Sequence, residues 1–361
     1  MSLAQTAAIS GPSKYRQLLA DAWQAHLAPR APDAPTVIST FAGCGGSSLG
    51  YSMAGYRELL AVEWSDHAAA TLRANFPDLP VYHGDIAQLS VDYALGLAGL
   101  KPGELDVLDG SPPCQGFSTS GARILDDPRN QLFREYVRLL QGLRPKVFVM
   151  ENVSGMVKGR MRLIFADIIR ELRTCGYRVS ARLMNAMYFR VPQSRQRMIF
   201  IGAREDLGLA PSHPRPLSMP YPVSMAIGDL GDVQDASTGH VWIDESPAGR
   251  NTKNWPLAHR ARQGEVYAGQ QRREVWTKPA FTLMAAAMIG KPYLRSRNCH
   301  PLYTRTYSLL EHKRLASIPD EFVFPGEPWA AFTRIGNCVP PLFMRAIARH
   351  IRETILKRIS S

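Results

Sequence analysis

No stretch of this 361-residue chain approaches the ~20 consecutive apolar residues that a membrane helix needs, and the first thirty residues lack a charged start leading into an unbroken hydrophobic run. The expectation is a soluble protein of the cytoplasm with no membrane partner. Cysteine is scarce: five residues, at 44, 114, 175, 299 and 338, form an odd set with no CxxC pair. That pattern offers neither a disulfide framework nor a zinc site, so no metal is expected and at least one thiol is left free to react. Internal repeats and low-complexity tracts are also absent, which excludes solenoids and compositionally biased tails. Acidic residues are outnumbered, 31 against 43 Lys and Arg, for a formal net charge of +12. Such an excess suits a polyanionic partner better than a small-molecule substrate, and nucleic acid is the first candidate.

The composition is 45% hydrophobic and 20% charged, enough for a full core in one large domain with a smaller companion. Residues 1–34 read as an N-terminal extension, with one amphipathic stretch (Lys14 to Leu27) and a proline-bearing turn. From 36 to 202 the apolar runs TVISTF, ELLAVEW, LDVLDGSPP, KVFVMENV and RMIFIGA alternate with helical patterns. That rhythm predicts an α/β fold, a mainly parallel sheet with helices on both faces. Residues 203–279, rich in Pro, Gly, Ser and Asp, keep no sustained period and read as a small irregular insertion. Order returns over 280–361, where Pro341 to Ile359 predicts a closing helix. Between Gly155 and Phe200 there are ten basic residues against two acidic ones, whereas 203–279 balances at nine against nine, so a surface for a phosphate backbone is expected mostly outside the insertion.

The first run feeds a glycine turn, Phe41 to Gly46, where missing side chains let backbone amides approach a ligand beside a helix start. Glu63 follows Gly43 by twenty residues, at the end of the second strand, a spacing suited to accepting from two ribose hydroxyls. An ordinary tight turn and a surface glutamate would give the same letters. Asp85 and Ile86 follow a further short apolar run that ends at His83, where Asp could accept from an adenine amino group and Ile86 could cover the ring, though Asp also serves as a helix cap. The segment Gly110, Ser111, Pro112, Pro113, Cys114, Gln115, Gly116, Phe117, Ser118 sets a thiol in a rigid proline-led turn directly after a buried strand. Glu151, Asn152 and Val153 end the strand KVFVM, and Gln193, Ser194, Arg195, Gln196, Arg197 places two alternating arginines just before MIFIG. Gly336, Asn337, Cys338, Val339, Pro340, Pro341 forms a turn ahead of the closing helix.

These motifs, in this order from Thr36 to Ile359, resemble the cytosine-C5 DNA methyltransferase family of bacterial modification enzymes. The resemblance implies a Rossmann-like class I methyltransferase sheet, with 35–202 and 280–361 as the cofactor-binding catalytic domain and 203–279 as a target-recognition domain. It implies transfer of a methyl group from S-adenosyl-L-methionine to carbon 5 of a cytosine flipped from a specific double-stranded DNA sequence, releasing S-adenosyl-L-homocysteine. Cys114 would be the nucleophile at C6, Glu151 the partner of N3 and the exocyclic amine, Arg197 the partner of O2, and Arg195 a brace for the site or a phosphate. Phe41, Gly43, Gly45, Glu63, Trp64, Asp85, Ile86, Asn337 and Val339 would hold the cofactor. Gln115, Ser118, Arg123 and Arg129, on a loop that shuts over the flipped base, would meet DNA, as would Arg272 and Arg273 in the recognition module. Thr304, Tyr307, Ser308, Glu311, Arg314, Leu315, Pro319, Asp320 and Phe322 resemble the family's ninth motif, which props up that module. Ser111 and Cys338 depart from the commoner glycine and alanine or serine. The family setting also allows a cognate restriction endonuclease, and a monomer is expected. A cytosine-C5 enzyme acting on tRNA, a noncatalytic DNA-binding regulator on the same fold, and a nicotinamide dehydrogenase sharing the glycine turn are the competing readings. The turn Gln115 to Ser118 favours DNA over tRNA, the joint presence of Cys114, Glu151 and Arg197 disfavours the regulator, and the Cys114 turn with the paired Arg195 and Arg197 disfavours the dehydrogenase.

Overall fold

The computed structural model describes residues 11–113, 131–157, 161–231, 272–285, 298–302, 307–326 and 328–359. In chain order its elements begin with α1 (Gly11–Leu27), β1 (Thr36–Thr40), α2 (Gly46–Met53), β2 (Arg57–Glu63), α3 (Asp66–Asn75), β3 (Val81–His83), α4 (Val91–Ala98) and β4 (Val107–Gly110). They continue with α5 (Gln131–Leu143), β5 (Val147–Val153), α6 (Met161–Thr174), β6 (Tyr177–Asn185), β7 (Gln196–Arg204) and α7 (Val223–Ile227). The last are β8 (Arg272–Arg273), β9 (Asn298–Cys299), α8 (Leu309–Leu315), α9 (Pro328–Asn337) and α10 (Pro341–Ile351). Two compact units emerge: one takes residues 28–185, 196–215 and 344–361, the other the described residues of 1–27, 186–195 and 216–343. Among the described residues no helix is long and apolar enough to cross a membrane.

The first unit is built on a seven-stranded sheet in the order β3-β2-β1-β4-β5-β7-β6. β1 to β5 run parallel, as the alternating pattern predicts; the central strands β1, β4 and β5 are covered on both faces, whereas β3 at the sheet edge is only partly buried. The alternation of side chains across β4 shows both coverings: Leu108 points into the core that α5 fills with Phe133, Tyr136, Val137 and Leu140, while Asp109 points to α2. The helix face Phe133, Tyr136, Val137, Leu140 follows the i, i+3, i+4, i+7 spacing, so one stripe of α5 is buried and the other meets water.

Direction is where the sheet departs from the sequence pattern. β7 runs antiparallel to both β5 and β6. Only residues 186–195 separate β6 from β7, too short a link for the crossover of about a dozen residues or more that a parallel partner demands, so the chain must turn back. β6 itself escapes the apolar-run pattern because it is an edge strand, with Arg178 and Arg182 among the residues facing water. The reversal has a functional consequence: it brings the start of β7, Gln196 and Arg197, to the same end of the sheet as the C-terminal ends of the parallel strands.

The α2 face carries a buried acidic pair. Tyr51 donates to Asp109 Oδ1 at 3.2 Å, and Ser48 donates to Glu58 Oε1 at 2.9 Å. Burial pushes the Asp109 carboxyl up to about 8 and that of Glu58 up to about 7. A carboxyl that keeps its proton in the fold but loses it when unfolded contributes stability only at low pH. That contribution is lost as pH rises from the ordinary carboxylate range through about 8, at about 1.4 kcal/mol per pH unit. Asp109→Asn removes the titration while keeping an acceptor for Tyr51. The expected result is a variant whose urea midpoint gains on the wild type by a few kcal/mol equivalent between about pH 5.5 and 8.5; equal pH profiles would refute it.

In the second unit, α1 presents Tyr15, Leu19 and Ala22, spaced four and three apart and all essentially buried, to α7 and its surroundings. The Tyr15 hydroxyl donates to the Arg314 carbonyl at 3.1 Å, and Trp23 stands edge-on to Phe322. α8 opens with a capping box between Ser308 and Glu311, and Arg314 at its other end pairs with Asp229 at 2.6 Å and Asp320 at 2.7 Å. The motif residues Ser308, Glu311, Arg314 and Asp320 therefore cap a helix and pin its neighbours.

Candidate active site

At the end of β1 the chain turns through Phe41, Gly43 and Gly45, all with φ between 53° and 88°. Phe41 is held in this unfavourable region by packing on the core. At Gly45 a Cβ would come within 2.8 Å of the Phe76 ring and 2.9 Å of Leu72, whereas at Gly43 it would meet nothing within 4 Å. The turn is closed on one side and opens onto free space on the other.

Glu63, at the end of β2, is 8% exposed and so is no surface glutamate. Its Oε2 accepts from the Gly43 amide at 2.7 Å, and Oε1 accepts from the amides of Trp64 at 3.0 Å and Ser65 at 2.8 Å. The twenty-residue spacing thus becomes a direct bond between the glycine turn and the second strand. Next to it the Trp64 side chain stands 78% exposed, an unusual position for so large an apolar surface. Asp85 caps a short 3-10 turn, Ile86–Gln88, by accepting from the Ala87 amide at 3.0 Å, and remains exposed, while Ile86 is buried in the core.

β4 ends at Gly110, and Ser111, Pro112 and Pro113 follow without regular structure. Asn152 Nδ2 donates to the Pro112 carbonyl at 3.1 Å, tying the end of β5 to the turn two residues before Cys114. The sequence singled out Asn152 only as a neighbour of Glu151; the tie requires knowing that β4 and β5 are adjacent. Cys114, Gln115, Ser118, Arg123 and Arg129 lie outside the described residues, as does Thr304.

Glu151 and Arg197 meet through the register of β5 and β7. Val153 stands opposite Arg197, and Glu151, two residues earlier on the same face, is its diagonal neighbour. The Arg197 Nε to Glu151 Oε1 distance is 2.6 Å, with the side chains only 14% and 11% exposed. Arg197 Nη1 also donates to the Gln196 carbonyl. A carboxylate and a guanidinium are thereby held, partly desolvated, at the sheet end to which Pro112 leads.

Within the second unit, Arg195 is 1% exposed and donates to the Leu283 carbonyl at 3.1 Å. Gln193 beside it accepts from the Leu283 amide and donates to the Leu315 carbonyl, so this segment fastens 283 and α8 together. Asn337 is exposed at the end of α9 and Val339 is buried. The preceding Gly336 approaches the Ala285 amide so closely that a Cβ would fall 2.2 Å from it, which only glycine permits. Arg272 and Arg273 form β8; Arg273 Nε donates to the Pro301 carbonyl at 3.2 Å.

Residues 35–353 match the model of the C-5 cytosine-specific DNA methylase family. The chain is similar to the Type II methyltransferase M.XorII of Xanthomonas oryzae pv. oryzae, 32% identical with 90% of this chain and 86% of that protein covered. It is similar also to the Type II methyltransferase M1.HphI of Haemophilus parahaemolyticus, 34% identical with 89% and 87% covered. Among solved structures, a prophage-encoded Escherichia coli protein described as a DNA modification methyltransferase superposes with TM-score 0.73 at 25% identity, covering 90% of this chain and all of that one. The DNMT2 of Spodoptera frugiperda, 17% identical, shares the fold with TM-score 0.61 over 91% of this chain and all of that one. A match of this extent makes the chain a member of the C-5 cytosine-specific DNA methylase family.

Proposed function

We propose that this protein transfers the methyl group of S-adenosyl-L-methionine to carbon 5 of a cytosine in a specific double-stranded DNA sequence, with Cys114 as nucleophile. The observation that carries the reading is the Glu151–Arg197 pair at 2.6 Å, held at the sheet end beside the tethered Pro112 turn. The residues of the glycine turn fit the cofactor on three counts: open space at Gly43, a buried Glu63 whose Oε2 takes only one of the amides and keeps acceptor capacity for a ribose hydroxyl, and a bare Trp64 face for a planar ring. Phe41, Gly43, Gly45, Glu63, Trp64, Asp85, Ile86, Asn337 and Val339 would hold it. Bound there, the cofactor supplies a methyl group made electrophilic by its sulfonium.

The protein's own share of the chemistry follows from cytosine. Carbon 5 is a weak nucleophile until conjugation is broken by addition at C6, which Cys114 performs as thiolate. Electron density then moves toward N3 and O2, where Glu151, as a protonated carboxyl, donates to N3 and the Arg197 guanidinium donates to O2, stabilising charge greater in the transition state than in the free base. Carbon 5 then takes the methyl group, a water or a nearby base accepts the C5 proton, and Cys114 leaves as thiolate, which restores the ring. The base must leave the duplex to be reached, costing a few kcal/mol of unstacking. Gln115, Ser118, Arg123 and Arg129 would contact the DNA around it. Sequence choice would fall to 203–279, with Arg272 and Arg273, while 35–202 and 280–361 serve cofactor and catalysis. A monomer in the cytoplasm, with a restriction endonuclease acting on the same site as a partner, completes the proposal.

The test is to incubate the protein with methyl-labelled S-adenosyl-L-methionine and either duplex DNA or tRNA, then map modified bases by sequencing. Label on C5 of cytosine at one duplex motif is expected. Label confined to tRNA, or none on either, overturns the reading.

A further inference from the structure

The cofactor reading assigns Asp85 and Ile86 to the adenine end but says nothing of what keeps their turn in shape. That turn is a single 3-10 turn of three residues, closed by Leu89 N–H to the Ile86 carbonyl at 3.2 Å and Gln88 N–H to the Asp85 carbonyl at 3.0 Å. So short a segment has little intrinsic stability and needs a tertiary partner to hold one geometry.

Arg138 supplies it from α5. Its Nη2 donates to two carbonyls at once, Ile86 at 3.0 Å and Leu89 at 2.8 Å, bridging the start and the end of the turn. Its Nε is fixed on the helix by Glu135 Oε2 at 2.7 Å, one helical turn back. The guanidinium is oriented by one acid and spans two acceptors roughly a turn apart, a fork that an ammonium reproduces poorly. α5 is moreover the first described element after the Cys114 segment, so one helix follows the nucleophile in the chain and grips the adenine side.

We infer that Arg138 is a positioning residue for the adenine end of the cofactor site, acting by bridging the Ile86 and Leu89 carbonyls; this rests on the cofactor reading above. Arg138 touches neither reacting atoms nor DNA in this role. Its loss loosens the turn, so binding of the adenosyl moiety weakens while the chemical step, once the site is filled, proceeds.

The experiment compares the wild type, Arg138→Ala, Arg138→Lys and Asp85→Ala. Dissociation constants for S-adenosyl-L-homocysteine come from calorimetry, steady-state kinetics vary cofactor and DNA separately, and hydrogen exchange follows the amides of residues 87–89. Arg138→Ala is expected to weaken binding about tenfold, the loss of two charge-assisted bonds discounted for partial exposure. The maximal rate at saturating cofactor stays within about twofold, the KM for DNA is unchanged, and exchange quickens at 87–89. Arg138→Lys should recover part of the affinity, and carries the comparison if the alanine variant does not fold. Wild-type affinity in Arg138→Ala, or quickened exchange spread evenly over the unit, overturns the assignment. If Asp85→Ala also binds like the wild type, the adenine placement itself is what fails.

Discussion

Replacing Cys114 with alanine is expected to lower methyl transfer by at least about 10⁴-fold while the affinity for S-adenosyl-L-homocysteine stays within a few fold. The asymmetry follows from the mechanism. Without a sulfur to add at C6, carbon 5 keeps its place in an aromatic ring and cannot use even a perfectly placed methyl donor. The proposed cofactor residues, by contrast, belong to the glycine turn, to the ends of β2 and β3 and to the turn that ends α9. A duplex containing 5-fluorocytosine sharpens the measurement: fluorine at carbon 5 cannot leave as a proton does, so the adduct persists. The wild type should form a protein–DNA species stable to denaturing electrophoresis, with the cross-link on Cys114, and the alanine variant none. A wild-type enzyme that methylates without forming such a species would remove the covalent route.

The Glu151–Arg197 pair gives the second large effect. Glu151→Gln and Arg197→Ala are each expected to reduce the single-turnover rate by about 10²–10³-fold, the scale of losing one donor to a developing charge. Together they should cost much less than the product of the two, because each side chain orients the other across a 2.6 Å contact in a setting only 14% and 11% exposed. The measurement is a double-mutant cycle on the methylation step, with DNA binding followed separately. Effects that multiply cleanly, or that appear only in DNA affinity, would show that the two act independently or away from the base.

Much of the site could be read from letters because its spacing is local. Phe41 to Gly46 needs glycines wherever a strand turns into a helix with positive φ, and Glu63 falls at the next strand end because one helix and one strand with their turns consume about twenty residues. The central parallel strands β1, β4 and β5 announced themselves by being buried on both faces, which the edge strand β3 is not. What stayed illegible depends on pairing between distant segments. Nothing in RMIFIGA tells which way that strand runs, since a buried run looks alike in either direction; the short link after β6 decides it. The meeting of Glu151 with Arg197 is a matter of register, and Asn152's hold on Pro112 of strand adjacency. Arg138 reads as one more charge on an amphipathic helix until the carbonyls it bridges are placed in space. Asp85 shows a different difficulty: the same aspartate caps its turn and is proposed as the partner of the adenine, and a sequence cannot separate two uses of one carboxylate.

Both units are fastened by their late-made residues. The hydroxyl of Tyr15 waits for the carbonyl of Arg314, 299 positions away, and that of Tyr56 for Ala348, 292 positions away; Arg352 then closes on Ala54. At roughly 5–20 residues per second, a ribosome needs on the order of 15–60 seconds to travel from the first member of such a pair to the second. During that interval β1 to β4 can pair among themselves and α1 can meet α7, but the ties of Tyr15, Tyr56 and Ala54 to the C-terminal residues stay open. Yield in a foreign host should therefore respond to elongation rate and growth temperature more steeply than the size of the finished protein would suggest.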